Sequence, residues 1–460
     1  MLLVRFTALI LACSGAACAR QASGPVPERS KAPAAQAPPR AAPLGATGPA
    51  PSASAAPIGS AGPPPTEPIL PPGAEFVSVG RHWASLKRVC ALAPLGRSLY
   101  AAHAYGALAI DGATVTRYTP GEAQPIKVAF DWNRRGQPTK GGGAGQGFLR
   151  LREIDGRLYL PDADPPYAGF GLSGKGVEGY VFVSDAQGKF ARARPPKQLP
   201  PAAPTEERAG AAVLPYAYHV FDVTRFRGRI YASGGAYVRG GGAPGALFVA
   251  TDDASPWQPV AYYPDPPGSH VWRLTYLETF RERLYAGVET FDAQDTTDYV
   301  SFGGNAAGQH LTSSDARPER EAVAGGASTL RWRSVDGRLY WIAGHAGGIT
   351  LQQSEDGARW QQLALPPEAG WPLDLVRFRG ALVVLTERRL LQLHAGKLVE
   401  VARVDATPSP FELSDTYCPA PLAVFDGELY AGGQHKGQLY RLTWPRTTDR
   451  PTNGAAAPSD

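Results

Sequence analysis

Five of the eight histidines in this 460-residue chain sit beside short apolar runs in a recurrent way. His103, His345 and His435 follow such a run, and His219 and His270 precede one. Carboxylates accompany them. Asp162, Asp164, Glu289, Asp292 and Glu387 follow runs of the same kind, and Asp374 lies at the start of one. Neutral imidazole and carboxylate oxygen suit Zn, Mn or Fe, and the same two groups can work as an acid–base pair. For a metal, His219, His270 and His345 are the candidate ligands. No fixed spacing joins these residues, and each reads equally as a turn cap or a hydrogen-bonding partner of a neighbouring loop. No cofactor is expected from sequence beyond that optional divalent metal.

Sharper signatures are missing. The sequence has no G-x-S-x-G, H-E-x-x-H or C-x-x-C motif. Glycine runs at Gly141–Gly147 and Gly240–Gly242 lack the Lys-Ser/Thr ending of a phosphate loop and read as flexible linkers. Asp292, Asp295 and Asp298 lack the glycine and terminal Glu of an EF-hand. The net charge of +5 comes from 46 basic and 41 acidic residues that are interspersed, so nucleic acid is not an expected partner.

What must position these groups is a phrase that occurs seven times. It reads LGRSLYAA (Leu95–Ala102), DGRLYLPD (Asp155–Asp162), RGRIYASG (Arg227–Gly234), RERLYAGV (Arg281–Val288), DGRLYWIA (Asp336–Ala343), RGALVVLT (Arg379–Thr386) and DGELYAGG (Asp426–Gly433). In each copy a turn, glycine-containing in six, separates two hydrophobic strands. A period of about 40–70 residues marks propellers and other repeat arrays. The expected fold is all-β, a seven-bladed propeller over residues 75–444 with four strands, A to D, in each blade.

Blade 5 is the clearest: Thr329–Val335, Arg338–Ala343, Gly348–Gln353 and Trp360–Leu365. In blade 1 the third and fourth strands are expected at Ala107–Ile110 and Thr114–Tyr118, and in blade 2 the fourth at Lys189–Ala193. In blade 4 they are expected at His310–Ser313 and Arg320–Ala324, which leaves Phe291–Gln309 as an insert. Two other long loops, Asp162–Gly179 and Lys127–Gly147, carry aromatic and charged tips that suit a sugar, peptide or protein partner. Blade 7 supplies only Leu422–Phe425, Glu428–Ala431 and Gln438–Leu442, so Glu75–Val79 is expected to complete it and close the ring. Cys90 and Cys418 lie at corresponding points of neighbouring inner strands across that seam, which predicts a disulfide. On this topology the histidines and carboxylates named above gather around one mouth of the central channel.

The chain opens with Arg5, an apolar run (Phe6–Ala12) and small residues, the layout of a secretory signal. Cys18, or alternatively Cys13, follows an alanine, and this part resembles a bacterial lipoprotein signal in which that cysteine is acylated. Residues 19–74 are rich in Pro, Ala and Gly and read as an extended tether; residues 445–460 read as a disordered tail. Ser354-Glu355-Asp356-Gly357-Ala358-Arg359-Trp360 resembles the Asp-box turn of sialidase-type propellers, with looser echoes at Ser184 and Thr251. The Arg-Ile-Pro signature of the sialidases themselves is absent. The chain as a whole is similar to bacterial lipoproteins that carry a β-propeller behind a tether. The resemblance implies a lipid-anchored place in the cell envelope, at the outer membrane or in the periplasm, with free secretion as the alternative. A monomeric ligand-binding or protein-binding scaffold is expected, with an envelope protein or glycan as partner. The alternative is a metal-assisted hydrolase or lyase acting on an envelope polysaccharide at the channel mouth.

Overall fold

The computed structural model describes residues 69–81, 88–104, 113–131, 147–163, 178–190, 211–215, 217–236, 244–250, 257–263, 271–290, 297–303, 319–322, 328–345 and 347–445. They form seven antiparallel sheets of four strands in a ring, a seven-bladed β-propeller. The inner strands are Arg88–Leu95, Arg152–Ile154, Ala217–Phe226, Val271–Phe280, Ser328–Val335, Pro372–Phe378 and Leu422–Phe425. Among the described residues no helix is long and apolar enough to cross a membrane.

The repeated phrase is the hairpin from inner to second strand. Outside blade 1, where only Gly96 does so, its two turn residues both take positive φ: Asp336 at +51° and Gly337 at +72°, Arg227 at +48° and Gly228 at +74°. That is the turn whose twist matches a β-hairpin. Blade 4 makes it with Arg281 and Glu282, at +45° and +59°, without glycine. The tyrosine of the phrase has its own task. Gly188 in blade 2 lies against the Tyr100 hydroxyl of blade 1, and Gly357 in blade 5 against the Tyr285 hydroxyl of blade 4, each where a Cβ would collide. In that blade 5 turn, Ser354 Oγ accepts a hydrogen bond from Gly357 N at 2.8 Å, and Asp356 Oδ1 accepts from Ala358 N and Arg359 N. The phrase therefore forms the first hairpin of a blade and, in these two copies, also supports the C–D turn of the next.

Cores lie between blades as well as within them. Blades 1 and 2 share Ala91, Tyr100, Phe130, Phe148, Leu158 and Phe182. In blade 5 the rings of Trp332 and Trp341 stack 5.2 Å apart at 13°. Because each blade buries one face only against its neighbours, the ring must close to leave no apolar face in water.

It closes as expected. Glu75–Gly80 pairs antiparallel with Leu439–Thr443, setting Phe76 opposite Leu442 and Val77 opposite Arg441. The sheet order runs from that strand through Leu439–Thr443 and Glu428–Gly432 to Leu422–Phe425. The chain just before the seam strand is already docked on blade 6. Buried Leu70 donates its N–H to Gln392 Oε1 at 2.8 Å, and Ala74 donates to Val401 O.

Three outer regions differ from expectation. In blade 1, Thr114–Tyr118 is the third strand and Ile126–Asp131 the fourth. The reason is burial: Thr114, Val115, Thr116 and Tyr118 are covered on both faces, whereas Ile126–Asp131 is mostly half-exposed, as an outer strand should be. Ala107–Ile110 lies outside the described residues. In blade 2 the fourth strand is Ala211–Pro215, well beyond Lys189–Ala193. In blade 4 the third strand, Thr297–Phe302, lies inside the supposed insert, where Tyr299, Val300 and Phe302 are fully buried. The fourth is Glu319–Ala322, and His310–Ser313 is outside the described residues.

Cys90 and Cys418 form a disulfide across 328 residues of chain, as expected. Closing a loop of that length removes denatured-state entropy worth about 6 kcal/mol. Reduction, or Cys90→Ala with Cys418→Ala, should lower the denaturant midpoint of unfolding accordingly. Equal midpoints for oxidised and reduced protein would show that the bridge adds nothing to the β seam.

Candidate functional site

The hub of the ring is charged. Asp222 on the blade 3 inner strand is fully buried and accepts four hydrogen bonds. Arg152 of blade 2 supplies two, Nε to Oδ1 at 2.9 Å and Nη2 to Oδ2 at 2.6 Å. Val223 N and, from blade 4, Leu277 N supply the others, at 2.9 and 3.0 Å. Asp374 repeats the arrangement in blade 6. Arg333 of blade 5 makes the paired contacts at 2.9 and 2.8 Å, and Leu375 N and Leu422 N of blade 7 complete the set at 2.8 and 2.9 Å. Burial alone would raise the Asp374 carboxyl. The Arg331 and Arg333 guanidinia and the backbone donor of Leu422 outweigh it, and the group sits below the usual carboxylate range. Asp374, expected at the channel mouth as a ligand group, is thus one of two carboxylates that join three successive blades.

The twin of each half is visible in the sequence. Leu149-Arg150-Leu151-Arg152 and Leu330-Arg331-Trp332-Arg333 each lead into an Asp-Gly-Arg-Leu-Tyr turn. Alternation on a strand sends both arginines of each pair to one face, here the channel. Sequence reasoning centred on histidine passed over these four arginines, and the duplicated Arg-x-Arg was the signal that could have found them.

One mouth of the channel, where the inner strands begin, is crossed by the connection from blade 6 to blade 7. Its residues Ser414–Pro419 reach four other blades. Arg88 of blade 1 pairs with Asp415 at 2.7 Å, and Cys90 is bonded to Cys418. The Tyr417 ring lies 5.6 Å from that of Phe221 in blade 3. In blade 4, Tyr276 donates to Tyr417 O, and the Tyr417 hydroxyl donates to Glu289 Oε1. Arg331 of blade 5 donates to Pro419 O at 2.9 Å. The disulfide therefore fixes a strap over the mouth as well as the seam.

Under the strap two expected residues do meet. Arg273 joins Glu289 Oε2 through Nη1 at 3.2 Å and donates from Nη2 to His219 Nε2 at 3.2 Å. His219 Nδ1 then donates to Ala163 O at 3.1 Å, which fixes the neutral tautomer. Burial and the adjacent Arg273 charge hold His219 well below an ordinary histidine. Burial and the Glu289 carboxylate push the Tyr417 phenol well up. Arg273 and Tyr417 were not foreseen, having no place in a histidine-and-carboxylate pattern.

The other expected residues are dispersed. His103 is buried within its strand, bonded to Thr116 Oγ1 at 2.8 Å and Arg88 O at 3.2 Å. Asp162 is fully buried in blade 2, its N–H bonded to Tyr180 O. Glu387 accepts from Trp371 N and Leu413 N. His345 is half-buried against Trp341, and His435 is exposed in the turn before the last strand. Asp164, His270 and Asp292 lie outside the described residues, as do Cys13 and Cys18. Among the described residues no three His, Cys, Asp or Glu side chains group as a metal site would require.

The opposite mouth, at the inner-to-second-strand turns, is open. It holds a cavity of about 470 Å³ bounded by blades 1, 5, 6 and 7. Leu92, Pro94, Val335, Val376 and Val424 give it apolar walls, Arg333 and Ser334 add polar ones, and the Arg377–Asp336 ion pair lies at its rim. None of the nine residues expected to line a ligand site contributes to it.

No family model matches the chain, and no curated protein does. Several solved structures are similar to it at low identity. Virginiamycin B lyase from Staphylococcus aureus with quinupristin is 11% identical over 80% of this chain and 98% of its own, with a TM-score of 0.46. The WD40 β-propeller of Doa1 is 10% identical over 82% and 97%, at 0.45. The CNH domain of AfRom2 is 8% identical over 80% and 98%, at 0.44. These likenesses concern the fold alone.

His219 makes stability depend on pH with a definite sign. Its folded pKa lies below 6.5, the ordinary value, so between the two the unfolded chain binds a proton that the folded chain refuses. Its contribution is complete above pH 6.5 and is lost as pH falls, at a limiting rate of about 1.4 kcal/mol per pH unit. Thermal midpoints of the wild type should drop more between pH 7 and 5 than those of His219→Gln. Parallel curves would contradict the assignment.

Proposed function

We propose that the protein is a binding scaffold that recognises a segment of another envelope protein in the open channel mouth. The observation that carries this reading is a division of labour within the hub. Its buried carboxylates are engaged in holding blades together, whereas the open cavity of about 470 Å³ is lined by aliphatic side chains interspersed with Arg333, Ser334, Asp336 and Arg377. A volume of that size falls within the range of ligand sites. Sugars are usually held by aromatic platforms and convergent polar groups, and no aromatic residue lines this cavity. Aliphatic walls mixed with Arg333, Ser334 and the Arg377–Asp336 pair, with no aromatic platform, suit a short peptide segment better than a glycan.

The placement at the envelope rests on the N-terminal sequence alone. Acylated Cys18 (or Cys13) would hold the head to the outer membrane or the periplasmic face through the 19–74 tether, as a monomer. The hydrolase or lyase alternative would have to use the strapped mouth. There both Glu289 oxygens and both His219 nitrogens already bond to protein groups.

The test is a photo-crosslinker at Val376 in the full-length chain expressed in its host. The reading expects one envelope protein captured from the membrane fraction. Capture should be lost in Val424→Arg, with an unchanged melting temperature, and membrane partition should be lost in Cys18→Ala with Cys13→Ala. Capture unaffected by Val424→Arg would reject the site, and membrane partition retained without both cysteines would reject the anchor.

A further inference from the structure

Between the two mouths the channel narrows to a mostly enclosed cavity of about 30 Å³. Four guanidinium groups surround it, those of Arg150, Arg152, Arg331 and Arg333, together with Tyr276 and the backbone of blade 1 at Ala91 and Leu92. The carboxylates facing these arginines are Asp222, Asp374 and Glu278, the last lying 3.6 Å from Arg152. Among the described residues, four positive charges thus meet three negative ones. The neighbouring pairs Arg88–Asp415 and Arg273–Glu289 are each balanced and leave the excess unchanged.

The excess falls on Arg150 and Arg331. Arg152 and Arg333 take the paired contacts to the two aspartates, so Arg150 Nε stands 3.9 Å from Asp222 and Arg331 Nε 3.6 Å from Asp374. Arg331 is 97% buried, and its Nε has no hydrogen-bond partner. Burial and the nearby Arg150 charge press the Arg331 guanidinium well below its ordinary pKa, and burial raises Glu278, which weakens the negative side further. Arg150 donates to Leu149 O and Leu330 O and Arg331 to Pro419 O, but these neutral acceptors leave a net buried positive charge, which is costly; a cavity of this size accommodates one small solute.

We propose that this cavity binds a single chloride-sized inorganic anion, held by Arg150 and Arg331, as the counter-ion of the propeller hub. The site adjoins the peptide cavity at the open mouth through Leu92 and Arg333, but Arg150 and Arg331 line this one alone. A divalent cation would meet four guanidinia.

Thermal unfolding of the full chain in sodium chloride and in sodium gluconate, at one fixed ionic strength, tests it. Chloride should raise the midpoint saturably by roughly 2–4 °C over gluconate. Bromide should reproduce the rise, and Arg331→Met should abolish it. Equal midpoints in the two salts, an undiminished chloride response in Arg331→Met, or a response to sulfate in place of chloride would overturn the proposal. Should Arg331→Met not fold, the wild-type ³⁵Cl NMR line width decides. Excess broadening relieved by bromide supports the site, and its absence refutes it.

Discussion

Two buried carboxylates hold the hub. The blades of this propeller are separate sheets, so no backbone ladder runs from one inner strand to the next. Asp222 and Asp374 replace that ladder locally. Each takes an arginine from the blade before, its own following N–H and an N–H from the blade after. Removing a carboxylate from water costs several kcal/mol, and only full hydrogen bonding makes it tolerable. One staple joins blades 2–4 and the other blades 5–7, and their arginines contribute to the charge of the channel and to the narrowing at its centre.

From that hub the two mouths acquire different characters. At one end the inner strands begin, and the Ser414–Pro419 strap lies across them, held by the disulfide and by bonds to blades 1, 4 and 5. The histidine and carboxylate found there serve the strap: Glu289 receives the Tyr417 hydroxyl, and His219 receives Arg273, which holds Glu289. At the other end the strands finish in tight turns that leave the channel uncovered. Access and apolar wall coincide at that end, so recognition is assigned to it.

Much of the fold was legible because its determinants are local. A two-residue turn with positive φ demands a recognisable phrase, and seven such phrases gave the blade count, the seam strand and the disulfide. Outer strands were read less well. That of blade 1 is mostly half-exposed, so its residues lack a distinctive pattern. The third strand of blade 4, Thr297–Phe302, was hidden by acidic neighbours although three of its residues are fully buried. The site was less legible still. Asp374 was singled out for its type, yet its role depends on Arg333 and Leu422, 41 and 48 residues away. His103 looked like a loop ligand and is a strand residue satisfied by Thr116. Partners this distant are set by the ring, and residue type alone does not reveal them.

The staple is tested most directly by the unfolding free energy of Asp374→Ala and Asp222→Ala, each measured alone and with its arginine partner replaced by methionine. Each single aspartate substitution should cost about 3–5 kcal/mol, with strong coupling to Arg333 or Arg152. Losses below about 0.5 kcal/mol, or effects that simply add, would mean that the blades are held by apolar packing alone.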